Sequence, residues 1–424
     1  MSGAGPRDLR LDLPILGVDE ALQAVLGAVA PLPPEEITLE DSPGRVLAET
    51  IFSSMDSPPF DRTAMDGYAL RAGDAASIPV ELDVVETIAA GSDPREKIGP
   101  AQAAKIMTGA AIPAGADAVV MVERTEALAG GRKVRILEAP ELGQHIRRRG
   151  EDLARGSLLL SEGSFIGAPE IALLASEGRA RLRVGSRPSV TVISTGDELV
   201  PVGVTPTGSR IRETNSWSLL ALLRRMGIEP VRPGIAKDDP AGLDAVIAGA
   251  LSSDVLLLTG GVSMGDFDLV GAALGRAGCR PIFQRVAIQP GKPLFFGVVE
   301  GGAHRRVVVF GLPGNPVSSI VDFLVFARPA IRRMMGSLRP VEPALSVELL
   351  DPIRRRPGRR AYLPARIEVT GAGRLAARPL PSMGSADLVA LSRANALVIV
   401  HETAGDVPAG AELPALLLDD SFRR

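Results

Sequence analysis

The sequence predicts a multidomain protein of mixed class, in which a central α/β domain is combined with β-rich domains. The chain has 424 residues, and at roughly 100–200 residues per domain this length corresponds to about three domains. Strand-like and helix-like patterns alternate from residue 189 to about residue 336. On both sides of that region, short apolar runs alternate with Gly and Pro turns, a pattern typical of β-structure.

The first part of the chain contains a helical pattern followed by a β-rich segment. Apolar residues recur at helical spacing over residues 18–30, and prolines end the pattern. Residues 57–150 hold short apolar runs, at 118–122 and 134–137, between Gly and Pro turns, which predicts a small β-rich domain. A second helix is predicted over residues 158–177.

The middle of the chain has the clearest alternation of elements. The predicted strands cover residues 190–193, 255–258, 281–288, 294–298 and 307–310, and the predicted helices cover residues 217–226, 241–251, 267–277 and 316–335. Strands that alternate with helices of this length form βαβ units around a mostly parallel sheet. After residue 338, strand-like runs at 396–400 and 413–418 without a helical pattern predict a C-terminal β domain.

Composition excludes several classes of function. The 50 acidic and 47 basic residues give a net charge of −3, which argues against a nucleic-acid-binding surface over the whole molecule. One cysteine excludes an internal disulfide framework, and only three histidines accompany it, which argues against a Cys/His zinc site. No stretch approaches the ~20 apolar residues of a membrane span, and the N-terminus lacks a signal-peptide core. We therefore expect a cytoplasmic protein without nucleic-acid or membrane partners.

Three Gly-containing loops follow predicted strands of the α/β domain. Ligands of open α/β sheets bind outside the carboxyl ends of the strands, and glycine lets backbone N–H groups approach an anion such as phosphate. Neither a P-loop motif nor a dinucleotide-binding G-x-G-x-x-G motif after a strand is present. The loop residues that we expect to bind the ligand are Ser194, Thr195, Gly196, Gly260, Gly261, Ser263, Gly265, Pro313, Gly314 and Asn315.

Acidic residues accompany the same loops. They are Asp197, Glu198, Asp238, Asp239, Asp266 and Asp268. A phosphate site lined by carboxylates indicates a divalent cation, because Mg²⁺ binds through one or two carboxylates together with substrate phosphates. We expect Glu198, Asp238 and Asp268 to bind Mg²⁺, whereas Asp239, which precedes Pro240, is expected to cap a helix.

Two basic clusters, residues 147–149 and residues 354–360, each have two interpretations. They form ion pairs or a solvated face, or they hold a phosphate or a small oxyanion, whose geometry matches the arginine fork.

Several further motifs are spread along the chain. They are residues 60–69, 106–110, 146–152, 194–199, 260–268, 290–293, 311–316 and 383–385. In this order they resemble the motifs of the molybdopterin molybdenumtransferase family, and they are also similar to the C-terminal enzyme region of gephyrin. The resemblance covers nearly the whole chain.

The resemblance implies four domains. The elongated, discontinuous N-terminal linker domain I would comprise residues 1–57 and 148–188, and the inserted β-rich domain II residues 58–147. A doubly wound α/β domain III of the molybdopterin-binding type would comprise residues 189–337, and a C-terminal β-barrel-like domain IV residues 338–424. The resemblance also implies a homodimer whose active-site cleft is partly completed by the partner subunit.

The resemblance implies a reaction as well. Molybdate would be inserted into adenylylated molybdopterin, with Mg²⁺-dependent hydrolysis of the adenylate and release of AMP. The matching active-site positions are Asp66, Thr108, Asp152, Glu198, Asp238, Asp268 and Ser385. The turn formed by Pro290, Gly291 and Lys292 would also bind the substrate, and Arg285, Lys292 and Ser385 would bind the oxyanion.

The chain departs from the family at two of its basic positions. Gln289 stands where some members have Lys, and an Arg that the family pattern leads us to expect falls near Pro364, with Arg366 as its shifted substitute. Two other functions therefore stay open. One is a molybdopterin adenylyltransferase, although those proteins are small single domains, and the other is a non-catalytic cofactor-binding scaffold, because a fold does not determine a function. Expected protein partners are a molybdopterin adenylyltransferase and molybdoenzyme-maturation proteins.

Overall fold

The computed structural model describes residues 13–237, 239–261, 269–301, 306–371 and 373–418. The chain divides into two compact units. The large unit comprises Met1–Ala48, Gly163–Ile171 and Arg181–Arg424, and the small unit comprises Glu49–Glu162 and Ala172–Ala180.

The described residues form helices and strands in the following order. The helices are α1 (Val18–Ala28), α2 (Ala168–Ser176), α3 (Asn215–Arg225), α4 (Pro240–Ala250), α5 (Leu269–Arg276), α6 (Pro316–Asp322), α7 (Arg328–Met334) and α8 (Leu388–Arg393). The strands are β1 (Glu35–Thr38), β2 (Ile51–Phe52), β3 (Arg62–Thr63), β4 (Gly67–Leu70), β5 (Val80–Ile88), β6 (Gln102–Ile106), β7 (Ala118–Met121), β8 (Thr125–Leu128), β9 (Lys133–Ile136), β10 (Ile146–Arg147), β11 (Leu158–Leu160), β12 (Arg181–Val184), β13 (Val190–Thr195), β14 (Leu199–Val200), β15 (Ile211–Arg212), β16 (Ile235–Ala236), β17 (Val255–Thr259), β18 (Arg280–Phe283), β19 (Ile288–Gln289), β20 (Phe295–Glu300), β21 (Arg306–Leu312), β22 (Leu345–Leu349), β23 (Arg360–Val369), β24 (Leu375–Pro379), β25 (Ala396–Val400) and β26 (Glu412–Leu417).

The small unit contains a six-stranded sheet in the order β7-β4-β6-β5-β9-β8. Tyr68 and Leu70 of β4 pack into one apolar cluster, whereas Ala69 between them packs into a second. The sheet therefore buries apolar side chains on both faces, and the predicted β-rich domain is confirmed. The predicted helix over residues 158–177 is wrong for its first part, because Leu158–Leu160 is strand β11, paired with β2.

The central sheet of the large unit has the order β16-β13-β17-β21-β20-β18. Its first four strands are parallel, and β20 and β18 form an antiparallel edge. Val192 of β13 belongs to the apolar cluster that includes α3 and α6, whereas the adjacent Ile193 belongs to the cluster of α4 and α5. Helices therefore cover both faces of the sheet, which confirms the predicted doubly wound α/β domain.

The C-terminal strands close into a five-stranded barrel. Their order is β23-β24-β22-β26-β25, and β25 pairs with β23, which joins the two edges. This arrangement confirms the β-barrel-like domain. No helix was expected after residue 338, yet α8 is present and begins where the Asp387 side chain accepts a hydrogen bond from the N–H of Ala390.

Two predicted elements of the α/β region differ in detail from the structure. The strand predicted over residues 281–288 is two strands, because β18 joins the central sheet and β19 pairs with β23 of the barrel. The long final helix is present, but a π-helical turn at Phe323–Ala327 separates α6 from α7. Pro329 has no N–H to donate to the carbonyl four residues earlier, and this loss favours the wider turn.

None of the helices that the described residues form has the length and apolarity required to cross a bilayer. The four-domain boundaries given above stay a prediction.

Candidate functional site

Three neighbouring parallel strands of the central sheet end at the same edge. Ser194 of β13 lies opposite Thr259 of β17, and Thr259 lies opposite Leu312 of β21. The three predicted Gly loops follow these strand ends directly. The carboxyl edge of a parallel sheet is the usual ligand-binding edge of α/β domains, and the structure brings the described residues of the three loops together there.

The second loop approaches the first so closely that it requires glycine. Gly260 has a φ of +87°, and a Cβ added to it would lie 2.3 Å from the carbonyl oxygen of Thr195. A Cβ on Gly261 would lie 2.6 Å from the Thr195 hydroxyl oxygen, and one on Gly314 would lie 3.7 Å from the Cα of Gly260. The glycines of the second loop therefore serve close backbone packing, whereas Gly314 of the third loop has room for a Cβ at an ordinary van der Waals distance.

Asn215, the first residue of α3, connects two of the loops. Its buried side-chain amide donates to the Thr259 hydroxyl at 2.5 Å and to the carbonyl of Gly314 at 2.8 Å. The sequence analysis missed this residue. A polar Asn at the start of the helical pattern that begins near Trp217 was the available signal.

A buried carboxylate supports the first loop. Glu213 accepts hydrogen bonds from the Ser194 hydroxyl at 3.0 Å, from the Ser216 N–H at 2.6 Å and from the Ser216 hydroxyl at 2.7 Å. These hydrogen bonds join the end of β13 to the start of α3. Glu213 was also missed, since its position after a short exposed strand, β15, resembles an ordinary loop acid.

Glu198 is the predicted magnesium ligand that the structure describes. Its exposed carboxylate lies against Gly196, where an added Cβ would lie 2.5 Å from the Glu198 Oε2 atom. Asp239 caps α4 as predicted, accepting from the N–H of Gly242 at 2.7 Å. The described part of the chain contains no group of three or more His, Cys, Asp or Glu residues that could hold a metal ion. The predicted site residues Asp238, Ser263, Gly265 and Asp268 lie outside the described residues.

Ser385 lies next to the third loop. Its hydroxyl accepts a hydrogen bond from the Asn315 side-chain amide at 2.9 Å, and its carbonyl accepts one from the N–H of Val317 at 3.1 Å. The loop between the barrel strands β24 and β25 thus contacts the carboxyl edge of the central sheet, and Ser385 lies beside the predicted ligand-binding residues Pro313, Gly314 and Asn315.

The turn of Pro290, Gly291 and Lys292 packs against a buried acid. Gly291 has a φ of +114°, and a Cβ added to it would lie 2.1 Å from Oδ1 of Asp322, the last residue of α6. Asp322 is fully buried, and within the described part of the chain neither of its carboxyl oxygens has a hydrogen-bond partner. Burial raises the pKa of Asp322 well above its ordinary value, which favours the protonated form of the carboxyl group.

The two predicted oxyanion-binding cations differ in their surroundings. Arg285 is half-buried and donates to the carbonyl of Leu13 at 3.0 Å. Lys292 is exposed, and its backbone carbonyl accepts from the N–H of Val286 at 3.0 Å. The Lys292 ammonium group forms no ion pair with the carboxylates that the structure describes.

The small unit holds Asp66 and Thr108 in direct contact. Asp66 Oδ1 accepts from the Thr108 N–H at 2.6 Å and from its hydroxyl at 2.7 Å. These two hydrogen bonds, that of the backbone first, hold the pKa of Asp66 below its ordinary value. The two residues, which are far apart in sequence, were predicted as separate site positions, and the structure brings them together.

The first basic cluster forms ion pairs. They are Arg147–Asp152, Arg148–Asp61 and Arg149–Asp56. Asp61 accepts hydrogen bonds from the backbone N–H of Arg149 and from the side chain of Arg148. These hydrogen bonds lower the pKa of Asp61. Asp152, a predicted active-site carboxylate, is therefore the partner of Arg147. The ion-pair interpretation of this cluster is the one that the structure supports.

The second basic cluster holds the barrel loops together. Arg355 donates to the carbonyls of His401 at 2.8 Å and Ala404 at 3.2 Å. Arg360 forms ion pairs with Asp19 of α1 and Glu402. In these contacts the guanidinium groups of Arg355 and Arg360 stabilise the fold.

Comparison with known proteins identifies the family. Molybdopterin molybdenumtransferase 2 of Mycobacterium tuberculosis is 37% identical over 394 residues, which cover 90% of this chain and 94% of the relative. Molybdopterin molybdenumtransferase of a Nostoc species is 34% identical over 405 residues, covering 93% of this chain and 92% of the relative. The chain belongs to the molybdopterin molybdenumtransferase family. The predicted resemblance is confirmed.

Three segments of this family member match family models. Residues 16–178 match the MoeA N-terminal region (domain I and II), and residues 191–333 match the model described as "Probable molybdopterin binding domain". Residues 346–418 match the MoeA C-terminal region (domain IV). The three-loop edge therefore lies within the segment that matches the molybdopterin-binding model.

Solved structures of the family share the fold. A molybdopterin biosynthesis MoeA protein of Pyrococcus horikoshii OT3 has a TM-score of 0.81 and 30% identity, covering 95% of this chain and 100% of that chain. A second structure from the same species has a TM-score of 0.77 and 32% identity, covering 96% of this chain and 100% of that chain.

Proposed function

We propose that this protein inserts molybdate into adenylylated molybdopterin, with hydrolysis of the adenylate and release of AMP, as a step of molybdenum cofactor biosynthesis. The observation on which the proposal rests is the convergence of three glycine turns at adjacent strand ends. The names of the relatives, which match this chain over nearly its full length, support the same activity.

The glycine turns would bind the phosphoanhydride of the substrate. Because glycine has no side chain, the glycines of the turns after β13, β17 and β21 let phosphate oxygens approach backbone N–H groups. Asn215 holds the second and third turns at one separation through its two hydrogen bonds. The phosphate groups would therefore meet a preformed surface, and preformed donors cost little reorganisation when charge develops in the reaction.

Glu198 would bind the divalent cation that the family implies. An exposed carboxylate against a glycine turn fits Mg²⁺, which prefers oxygen ligands and usually takes one or two carboxylates together with substrate phosphates. Asp238 and Asp268 are the proposed further ligands. Bound Mg²⁺ would supply charge neutralisation at the phosphoanhydride.

Molybdate would bind near the third loop. It is a dianion that approaches an anionic substrate, so a nearby cation and hydroxyl donors are needed. Ser385, which contacts Asn315, offers a hydroxyl, and the exposed ammonium group of Lys292 and the guanidinium group of Arg285 are the proposed cations. Gln289 supplies no charge, so Lys292 would have to provide more of the positive charge that attracts molybdate.

Asp66 would contribute an ionised carboxylate to the active site, and Thr108 would hold it in place. Two hydrogen bonds from Thr108 stabilise the charged form of Asp66, and Asp152 is the further proposed carboxylate of the small unit. A homodimer, in which a partner subunit completes the cleft, belongs to the same proposal, as do the four domain boundaries. A molybdopterin adenylyltransferase would supply the substrate, and molybdoenzyme-maturation proteins would receive the product.

A single-turnover assay tests the proposed function. The purified protein is incubated with adenylylated molybdopterin, molybdate and Mg²⁺, and both AMP release and molybdenum incorporation are measured. We expect both products with the native protein and a strong loss of both with Glu198→Gln. Glu368→Gln, which alters an exposed acid on barrel strand β23, is the matched control and is expected to retain activity.

The same assay separates the two alternative functions. Formation of adenylylated molybdopterin from ATP and molybdopterin, without molybdenum incorporation, would establish an adenylyltransferase. Binding of the substrate without AMP release in the presence of Mg²⁺ and molybdate would establish a scaffold. Either result would contradict the proposal.

A further inference from the structure

An exposed aromatic side chain stands beside the three-loop edge. Trp217 is the only tryptophan of the chain, and the relative solvent exposure of this residue is 45%. It lies in the first turn of α3, two residues after Asn215. A single exposed apolar residue needs no special explanation, but Trp217 is paired with a cation.

The guanidinium group of Arg232 covers the Trp217 ring. Its central carbon lies 4.2 Å from the ring centroid, a cation–π geometry. Arg232 is half-buried and comes from the segment that leads into β16. Within the described part of the chain it forms no direct ion pair. The neighbouring Glu229 is bound in a bidentate manner by Arg224 and interacts with Arg232 through longer-range electrostatics. A planar cation thus lies against an indole ring.

The pair is anchored to the ligand-binding edge through its neighbours. The Arg232 Nη1 atom lies 3.5 Å from the Ser216 hydroxyl, and Ser216 donates to Glu213, which accepts from Ser194 at the end of β13. Asn215 ties the same helix turn to the ends of β17 and β21. Both members of the stacked pair are therefore held beside the loops that would bind phosphate.

We propose that Trp217 and Arg232 form a stacking platform for the purine ring of the nucleotide half of the substrate. This inference rests on the proposed function. Purines stack on aromatic rings and on guanidinium planes, and such stacking requires no hydrogen-bond donors from the protein.

The order of the strands favours a purine position near β13 and β16. Ser385, the proposed oxyanion ligand, contacts the loop after β21, whereas Trp217 and Arg232 stand near β13 and β16. Strands β13 and β21 are two positions apart in the sheet, or about 10 Å at the usual strand spacing. The pterin end, which receives molybdenum, would lie at β21, so the nucleotide end of the phosphoanhydride would extend toward β13.

Intrinsic fluorescence provides a direct test, because Trp217 is the sole tryptophan. The full-length protein is titrated with AMP and, separately, with ribose 5-phosphate, which lacks the base. We expect AMP to quench Trp217 fluorescence and ribose 5-phosphate to leave it unchanged. Calorimetric titration with the same two ligands gives the affinities independently of fluorescence.

Two substitutions test the platform, and one serves as the matched control. Trp217→Leu removes the ring, and Arg232→Lys keeps the charge but removes the plane. We expect each to weaken AMP binding about tenfold, from the usual range of base–aromatic stacking energies, and to leave ribose 5-phosphate binding unchanged. Trp217→Phe retains a stacking surface and should retain most of the AMP affinity.

The outcomes separate this inference from the proposed function. If AMP binds to Trp217→Leu as tightly as to the native protein, or binds without changing Trp217 fluorescence, the platform is refuted. Absence of AMP binding also refutes it, even where molybdenum insertion proceeds and the proposed function stands. Base-dependent AMP binding together with failure of molybdenum insertion would support the platform and refute the proposed function.

Discussion

Replacing Asp322 by Asn should stabilise the large unit, and the gain should grow with pH. The Asp322 carboxyl group is fully buried beside Gly291, and burial raises its pKa well above the ordinary value. In the unfolded chain the group titrates near a pKa of about 3.9. Between these two pKa values the folded protein retains one proton that the unfolded chain releases.

The sign and the size of the effect follow from proton linkage. Because the folded state binds more protons than the unfolded state, the free energy of unfolding falls as pH rises above about 4. One proton corresponds to a slope of about 1.4 kcal/mol per pH unit, until the pH reaches the raised pKa. Asparagine has nearly the same shape and no titration, so the Asp322→Asn protein should lack this slope.

Urea unfolding monitored through Trp217 is the suitable assay. The helix that bears Trp217 shares its apolar cluster with Val321 and Phe323, the neighbours of Asp322. The tryptophan signal therefore reports on the domain in which the substitution is made. Native and Asp322→Asn proteins are compared at a series of pH values that begins at about 4, near the ordinary pKa of aspartate, and rises to about 8.

Asp19→Asn is a control of opposite sign in the same unit. Hydrogen bonding to Arg360 lowers the pKa of Asp19, so this carboxylate contributes stability above its unfolded pKa, and that stability is lost as pH falls through the lowered pKa. We expect Asp19→Asn to be less stable than the native protein at neutral pH. A constant difference between native and Asp322→Asn proteins across the series would refute the assignment of a neutral buried acid. So would a loss of stability in Asp322→Asn that increases with pH.

Three further substitutions test the site geometry. Gly291→Ala should lower the free energy of unfolding by about 1–3 kcal/mol in urea, because its Cβ would lie 2.1 Å from Asp322 Oδ1. The double variant with Asp322→Ala should recover part of this loss, and strictly additive effects would contradict the contact. Thr108→Val should raise the pKa of Asp66 toward its ordinary value in an NMR titration, because the hydroxyl donor is lost and the backbone donor stays; an unchanged pKa would mean that the hydroxyl bond is absent in solution. Asn215→Ala should cost about 1–3 kcal/mol of stability, since it leaves buried acceptors unpaired, and should weaken AMP binding in calorimetry; unchanged values would exclude it as the connection between the loops.

The sequence was sufficient to predict the edge of the sheet that forms the site. Glycine loops after Ile193, Leu258 and Phe310 could be placed together because parallel strands of βαβ units end at one edge. The apolar runs of these strands are buried on both faces, so their pattern is strong. The family motifs added Asp66, Thr108 and Ser385, which a pattern of apolar residues cannot identify.

Other site residues could not be predicted, because their roles depend on contacts distant in sequence. Asn215 meets Gly314 across 99 positions, and nothing in its local pattern indicates that partner. Asp322 was absorbed into the apolar pattern of the last helix, although a lone acid within such a pattern was a signal of burial. The Leu158–Leu160 strand was missed because a short apolar run before a helix resembles the helix itself.

Helix α3 joins the stability of the large unit to substrate binding. Its buried Leu219 and Leu223 fix it on the sheet, while its first turn contacts all three strand ends through Asn215 and through Ser216 and its partner Glu213. A ligand that orders the loops would therefore also favour the docked position of the helix. Binding to the folded state alone raises the free energy of unfolding in proportion to the logarithm of ligand concentration. Stabilisation by AMP that disappears in Asn215→Ala, while the folded protein persists, would show that the helix and the loops act as one element.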